Sequence, residues 1–172
     1  LRKITTIKLN NQEEHIYSYE MYIFDEEEDG YDFHIEVVIS EIVAEKYYEA
    51  SEIDVTIIYE NNEEKQLSMK VFDITQVGNA EVPILHLCKE SINIDEYRDL
   101  RVFNVDNYEV RDIKSDLTIE DIRKVEMPLS EVYTTLILPI DQTEWIDWTG
   151  EGINEMLSEA IYDYWKKKNI KR

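Results

Sequence analysis

Three groups of residues in this chain have types and spacings that chemistry could use. The first is acidic. Asp25, Glu27 and Asp29 recur at alternate positions, Gly30 follows, and Glu36 comes six residues later. Calcium loops have nearly this spacing, because hard oxygen ligands must surround one ion inside a tight turn. The match breaks down residue by residue. Glu27 stands where Asp or Asn is usual, Asp32 stands where an apolar residue is usual, and the flanks alternate as strands do. Glu36 falls inside one of those strands and is not placed to fold back. Asp25, Glu26, Glu27, Glu28 and Asp29 therefore read as an acidic hairpin loop.

The second group is built on histidine. His86-x-Cys88 puts two metal-capable side chains on one face of a strand. A metal centre needs three or four ligands, and neither His15 nor His34 has a cysteine near it in sequence. No metal and no cofactor is expected on this basis. His34 and Glu36 share the polar face of another strand, beside Asp32. Such a trio can move protons if it lies in a pocket, and is plain surface if it does not. His34, Glu36 and His86 are thus candidate pocket groups, with no residue assigned as catalytic. Thr149-Gly150-Glu151-Gly152 precedes a helical segment but lacks a lysine and carries an acid where a phosphate would sit.

The third group is aromatic. Glu144-Trp145-Ile146-Asp147-Trp148 interleaves large rings with carboxylates. Trp145 and Trp148 fit a surface that anchors a basic partner, and fit equally a pair of rings that fix a helix to a sheet.

The whole chain sets the background for these groups. It has 172 residues, which suits one domain, expected here to span 1–172. Thirty-nine acids against eighteen Lys and Arg give a net charge of −21, more than solubility needs. That field repels nucleic-acid phosphates and anionic membranes and attracts basic proteins. Cys88 is the single cysteine, which fits a reducing compartment. No apolar run approaches the length of a membrane helix, and no signal-peptide pattern is visible, so a cytoplasmic location is expected.

The elements that must position these residues are mostly strands. Tyr31, Phe33, Ile35, Val37 and Ile39 alternate with polar residues, and a slip of one position would bury Asp32, His34 and Glu36. Thr5 to Leu9, Tyr17 to Ile23, Ile53 to Tyr59 and Leu67 to Val71 alternate in the same way. A tighter hairpin is expected over Phe103, Val105, Asp106-Asn107, Tyr108 and Val110. Val82–Cys88 and Val132–Ile140 are apolar on both faces and read as buried strands. With four Gly and three Pro, turns fall to Asn and Asp. Helices are expected within 41–50, after Thr118, and over about 152–168, where Ile153, Met156, Leu157, Ala160, Ile161, Tyr164 and Trp165 make one stripe. The expectation is an α+β fold, mostly β: an antiparallel sheet, strongly curved or two-layered in the manner of a barrel or sandwich, with strands within 1–140 and the C-terminal amphipathic helix packed on it.

Function is carried by charge before anything else. The first expectation is an acidic interaction protein of the inhibitor, immunity or anti-defence type, nucleic-acid mimicry included, binding a basic or nucleic-acid-binding partner through Asp25–Asp29, Trp145 and Trp148. The alternatives are a small-ligand-binding protein or enzyme with a pocket in the curved sheet, and a structural subunit of a phage or bacterial assembly.

Overall fold

The alternating segments join edge to edge into one sheet. The computed structural model describes residues 4–27, 29–74, 82–106, 113, 116–150 and 152–169. The chain forms two compact units, Leu1–Leu129 and Ser130–Arg172. In the first, the strands are β1 (Ile4–Leu9), β2 (Ser18–Asp25), β3 (Tyr31–Val38), β4 (Glu52–Tyr59), β5 (Glu64–Ile74), β6 (Ile84–Lys89) and β7 (Arg101–Phe103). They lie in the order β1-β4-β5-β6-β3-β2-β7. Every pairing is antiparallel except β2 with β7. The sheet is open, with β1 and β7 as its edges, so the barrel-like or sandwich-like closure expected from the alternation does not occur. With one connection crossing the core face to a parallel edge strand, the two ends of the sheet have no strand pairing to join them.

One face of the sheet carries the main core. Ile23, Phe33, Ile35, Val37, Val55, Ile57, Met69, Leu85 and Leu87 are buried there. Helix α1 (Glu41–Tyr47) covers part of it with Val43, Ala44 and Tyr47. Ser40 caps α1 by accepting a hydrogen bond from the Val43 N–H at 3.2 Å. A short 3₁₀ turn, Ile94–Tyr97, lies in the β6–β7 connection and sets the Tyr97 ring 4.7 Å from that of Phe33. Among the described residues of this unit, the opposite face is covered at its Val38 end. There α2 (Ile119–Val125) buries Ile122 against Val38 and Val82. Thr118 and Asp121 form a capping box at the start of α2. Val125, at the end of α2, is exposed.

Asparagine makes the turns, as its tolerance of the left-handed region allows: Asn10, Asn11 and Asn62 all have positive φ. Of the tight hairpin expected over Phe103 to Val110, Arg101–Phe103 pairs parallel to β2, and Asn107, Tyr108 and Val110 lie outside the described residues.

The second unit holds α3 (Ile140–Thr149) and α4 (Ile153–Asn169). The C-terminal helix forms where its sequence stripe placed it, although Ile161, Tyr164 and Trp165 of that stripe are exposed, and Gly150 ends α3 in the left-handed conformation at φ 66°. Residues 132–140 correct the sequence reading. They form no strand, Val132 and Ile137 are exposed, and Ile140 opens a helix. An apolar run becomes a strand only where another strand accepts its backbone hydrogen bonds, and among the described residues none does so here.

Two charged side chains tie α1 to α2. Arg123 donates from Nε and Nη2 to the two carboxylate oxygens of Glu41, at 2.7 and 2.6 Å. Glu41 is buried, and the guanidinium holds its carboxyl below the ordinary value of 4.5, against the opposing effect of burial. A carboxyl with a lowered folded-state pKa stabilises the fold above its unfolded value and loses that contribution as pH falls through the folded one. Arg123→Gln should therefore lower the urea midpoint at pH 7, and its deficit against wild type should shrink as pH drops below about 4.5. In the centre of the sheet, Leu87→Ala empties a fully buried position opposite Ile35 and should cost about 3 kcal/mol in the same assay.

Candidate functional site

The alternation that buries the odd-numbered residues of β3 and β6 in the core sends the even-numbered ones to the other face. Asp32, His34 and Glu36 come from β3, and His86 and Cys88 from β6. The strands pair with His34 opposite Cys88 and Glu36 opposite His86. On the far side of β3, Tyr22 of β2 stands opposite His34. On the far side of β6, Lys70 of β5 stands opposite Cys88. Beyond Val71 the β5 register shifts, and this bulge places Phe72 over the site, its ring 4.9 Å from that of His86.

Hydrogen bonds link these side chains. His34 Nδ1 lies 2.9 Å from His86 Nε2. The Tyr22 hydroxyl donates to Glu36 Oε1 at 3.1 Å and lies 3.4 Å from His86 Nε2. Cys88 Sγ is 3.8 Å from His34 Nε2 and 3.9 Å from Asp32 Oδ2. The other Asp32 oxygen accepts the Ser91 backbone N–H at 2.9 Å. Rings wall the cluster. Tyr22 stacks on His34 at 5.1 Å, with their planes 4° apart, and Phe24 meets His34 edge-on at 6.2 Å. Tyr22, Phe24, Asp32, His34, Phe72, His86 and Cys88, together with Glu26, Lys70 and Glu90, line a cleft of about 350 Å³.

Burial decides the electrostatics. His34 is 8 % exposed, and its pKa is pushed down to about 4, by burial first and by His86 second, although Asp32 pulls the other way. Burial lowers His86 too, against Glu36 and Asp73. Both imidazoles are neutral at pH 7, so each ring offers one N–H and one lone pair. Burial also raises the Cys88 thiol to about 11, and Asp32 and Glu90 push it the same way. A neutral thiol of this kind is a poor nucleophile.

The three pocket groups expected from the sequence, His34, Glu36 and His86, come together here. Cys88, Asp32, Tyr22 and Phe72 join them. The sequence paired Cys88 with His86 as metal-capable groups and set Asp32 beside His34 and Glu36, but it singled out neither Tyr22 nor Phe72. His34 does have a cysteine beside it, across the β3–β6 pairing instead of along the chain. The acidic group lies in the β2–β3 hairpin loop, which closes with Glu26 N–H donating to the Gly30 carbonyl at 2.9 Å. Gly30 takes φ 101°, a conformation that only glycine adopts readily. Glu26 reaches the cleft, Asp25 ends β2, Glu27 sits at φ 57°, and Glu28 lies outside the described residues. Glu36 stays in β3 opposite Glu20, away from the loop. Trp145 and Trp148 are exposed on α3, in the second unit. A further cavity of about 250 Å³ lies on the core face beside Tyr97, where Lys65 sits 3.5 Å above the ring.

No family model, no curated protein and no solved structure matches this chain.

At pH 8 a thiol titrating near 11 holds on the order of a hundredfold less thiolate than one titrating near 9. Cys88 in the folded chain should therefore react with iodoacetamide at least that much more slowly than in 8 M urea (roughly full unfolding). Mass spectrometry of the alkylated chain measures both rates.

Proposed function

We propose that this chain is a small-ligand-binding protein whose site is the cleft on the β2–β3–β6–β5 face. One observation carries the reading: Tyr22, His86 and His34 form a continuous array of polar atoms lining a cavity of about 350 Å³, with Glu36 behind them as the acceptor of the Tyr22 hydroxyl. That size is in the range of small-molecule sites, and a few convergent polar groups within apolar walls are how such sites fix a ligand.

The lining narrows the ligand class. Phe72, Phe24 and Tyr22 present ring faces and edges, which favour a flat, unsaturated ligand. The neutral histidines supply donor and acceptor positions. Glu26, Asp32 and Glu90 outnumber Lys70, which is paired with Glu90 at 2.7 Å, so a neutral or cationic ligand fits better than an anionic one. The reading is of a planar, nitrogen-containing heterocycle. In two-dimensional NMR, a panel of such compounds should give saturable shifts at Tyr22, His34, His86 and Phe72. Phe72→Ala should weaken the best binder by up to about tenfold, the size of one lost ring contact. If no compound in the panel shifts these residues saturably while the protein is folded, the cleft is not a ligand site.

A second reading keeps the acidic interaction protein, cytoplasmic and directed at a basic protein instead of nucleic acid. The observation that favours it is Trp148, 84 % exposed on α3 beside Asp147. A basic partner held this way should release with salt and fail to bind Trp148→Ala, while cleft ligands bind that variant unchanged.

A further inference from the structure

We propose that Asp32, His34 and Cys88 are the protein ligands of a divalent transition-metal site, zinc in type, at the end of the cleft away from Val38. The inference rests on the cleft being a binding site and names the ion that would complete it.

Distance is the first argument. One oxygen, one nitrogen and one sulfur donor from these residues lie within 4.8 Å of one another. Bonds of about 2.3 Å to sulfur and 2.0–2.1 Å to nitrogen, at a tetrahedral angle, hold the two donors roughly 3.5 Å apart. The observed separations, 3.8 Å from Cys88 Sγ to His34 Nε2 and 3.9 Å from Cys88 Sγ to Asp32 Oδ2, exceed that by only a few tenths of an ångström. The third pair, Asp32 oxygen and His34 nitrogen, lies within the same 4.8 Å.

Orientation is the second. A histidine that binds a metal through one nitrogen has the other held by a neighbour. His34 Nδ1 is held by His86 Nε2 at 2.9 Å, which leaves Nε2 facing Cys88. Asp32 is arranged likewise: Oδ1 takes the Ser91 N–H, and Oδ2 points to the thiol. Both outer contacts exist without the ion, so the ligands are set in advance. His86 is then a positioning residue, itself next to the Tyr22 hydroxyl.

Charge and donor type are the third. Glu26 and Glu90 line the same cleft as Asp32, so a dication would enter an anionic surround. A sulfur, an imidazole and a carboxylate together select zinc and its neighbours over calcium or magnesium, which take oxygen alone. All three ligands line the cleft, so the fourth position belongs to water or to the cleft ligand, the pattern of a reactive site and not of a structural one. On binding, Cys88 Sγ loses its proton to solvent as the metal–sulfur bond forms.

Cobalt(II) is the probe, added to the reduced 172-residue chain at about pH 7.5, and its binding should tighten as pH rises, because the thiol gives up its proton on binding the metal. One equivalent should produce thiolate-to-cobalt charge transfer in the near ultraviolet and intense visible bands of four-coordination, and zinc should abolish both. Cys88→Ser should lose the charge-transfer band. His86→Ala should keep the band but weaken affinity by about 10–100-fold, as loss of an outer contact does. Asp25→Asn with Glu27→Gln, in the hairpin loop, should change nothing. Absence of charge transfer in the folded wild-type chain, or its persistence in Cys88→Ser, overturns the proposal. Zinc should also block alkylation of Cys88 in the wild-type chain, and failure to do so overturns it without any variant. The planar-ligand NMR measured in chelator tests the cleft separately: shifts there without cobalt binding leave the cleft and remove the metal.

Discussion

The pairing of β3 with β6 is the constraint from which the core and the cleft both follow. Strand β3 sits inside the sheet with a neighbour on each side, and its side chains are buried or half-buried throughout. Its odd-numbered residues, Phe33, Ile35 and Val37, have nowhere to go but the core, and Leu85 and Leu87 of β6 lie in that same layer. Once those side chains are buried, the period of two leaves no choice for the others. His34 must face Cys88 and Glu36 must face His86. Apolar burial thus aligns the polar groups, and no polar contact has to hold the register.

The same arrangement explains how a chain with a net charge of −21 keeps two imidazoles uncharged. Acids surround the cluster, and each one nearby favours protonation of the histidines. They are outweighed because the rings lie among Tyr22, Phe24 and Phe72, where burial penalises the charged form. Partial cover matters to this balance. Helix α2 closes the Val38 end of the face, and the other end stays accessible. A fully covered face would have excluded ligands, and a bare one would have left the histidines at their usual basicity.

Local pattern made much of this legible. The strands follow alternation, the turns follow asparagine, and Thr118 with Asp121 marks a helix start. His34 with Glu36, and His86, could be nominated because each lies on the polar side of a readable strand. Their meeting could not be, because β3 and β6 are far apart in sequence and several partners satisfied the same alternation. The position of Phe72 depends on a bulge that leaves no trace in composition. Helix α3 was hidden for a different reason. Ile140, Trp145, Ile146 and Trp148 fall on no single stripe, and the apolar run ahead of them imitates a strand. Whether that run becomes a strand depends on a partner, which local pattern does not contain.

Interleaving core and cleft along the same strands has an evolutionary consequence. Inserting or deleting one residue within β3 or β6 would exchange the two sets, putting His34 or Cys88 into the hydrocarbon layer and Phe33 or Leu87 into the cleft. Length change there is closed to descent, and the floor of the site can diversify only by substitution in place. Strand β5 has already absorbed an irregularity beside the site, at Phe72. Lineages exploring new specificities would therefore vary in length along this wall while the floor kept its spacing.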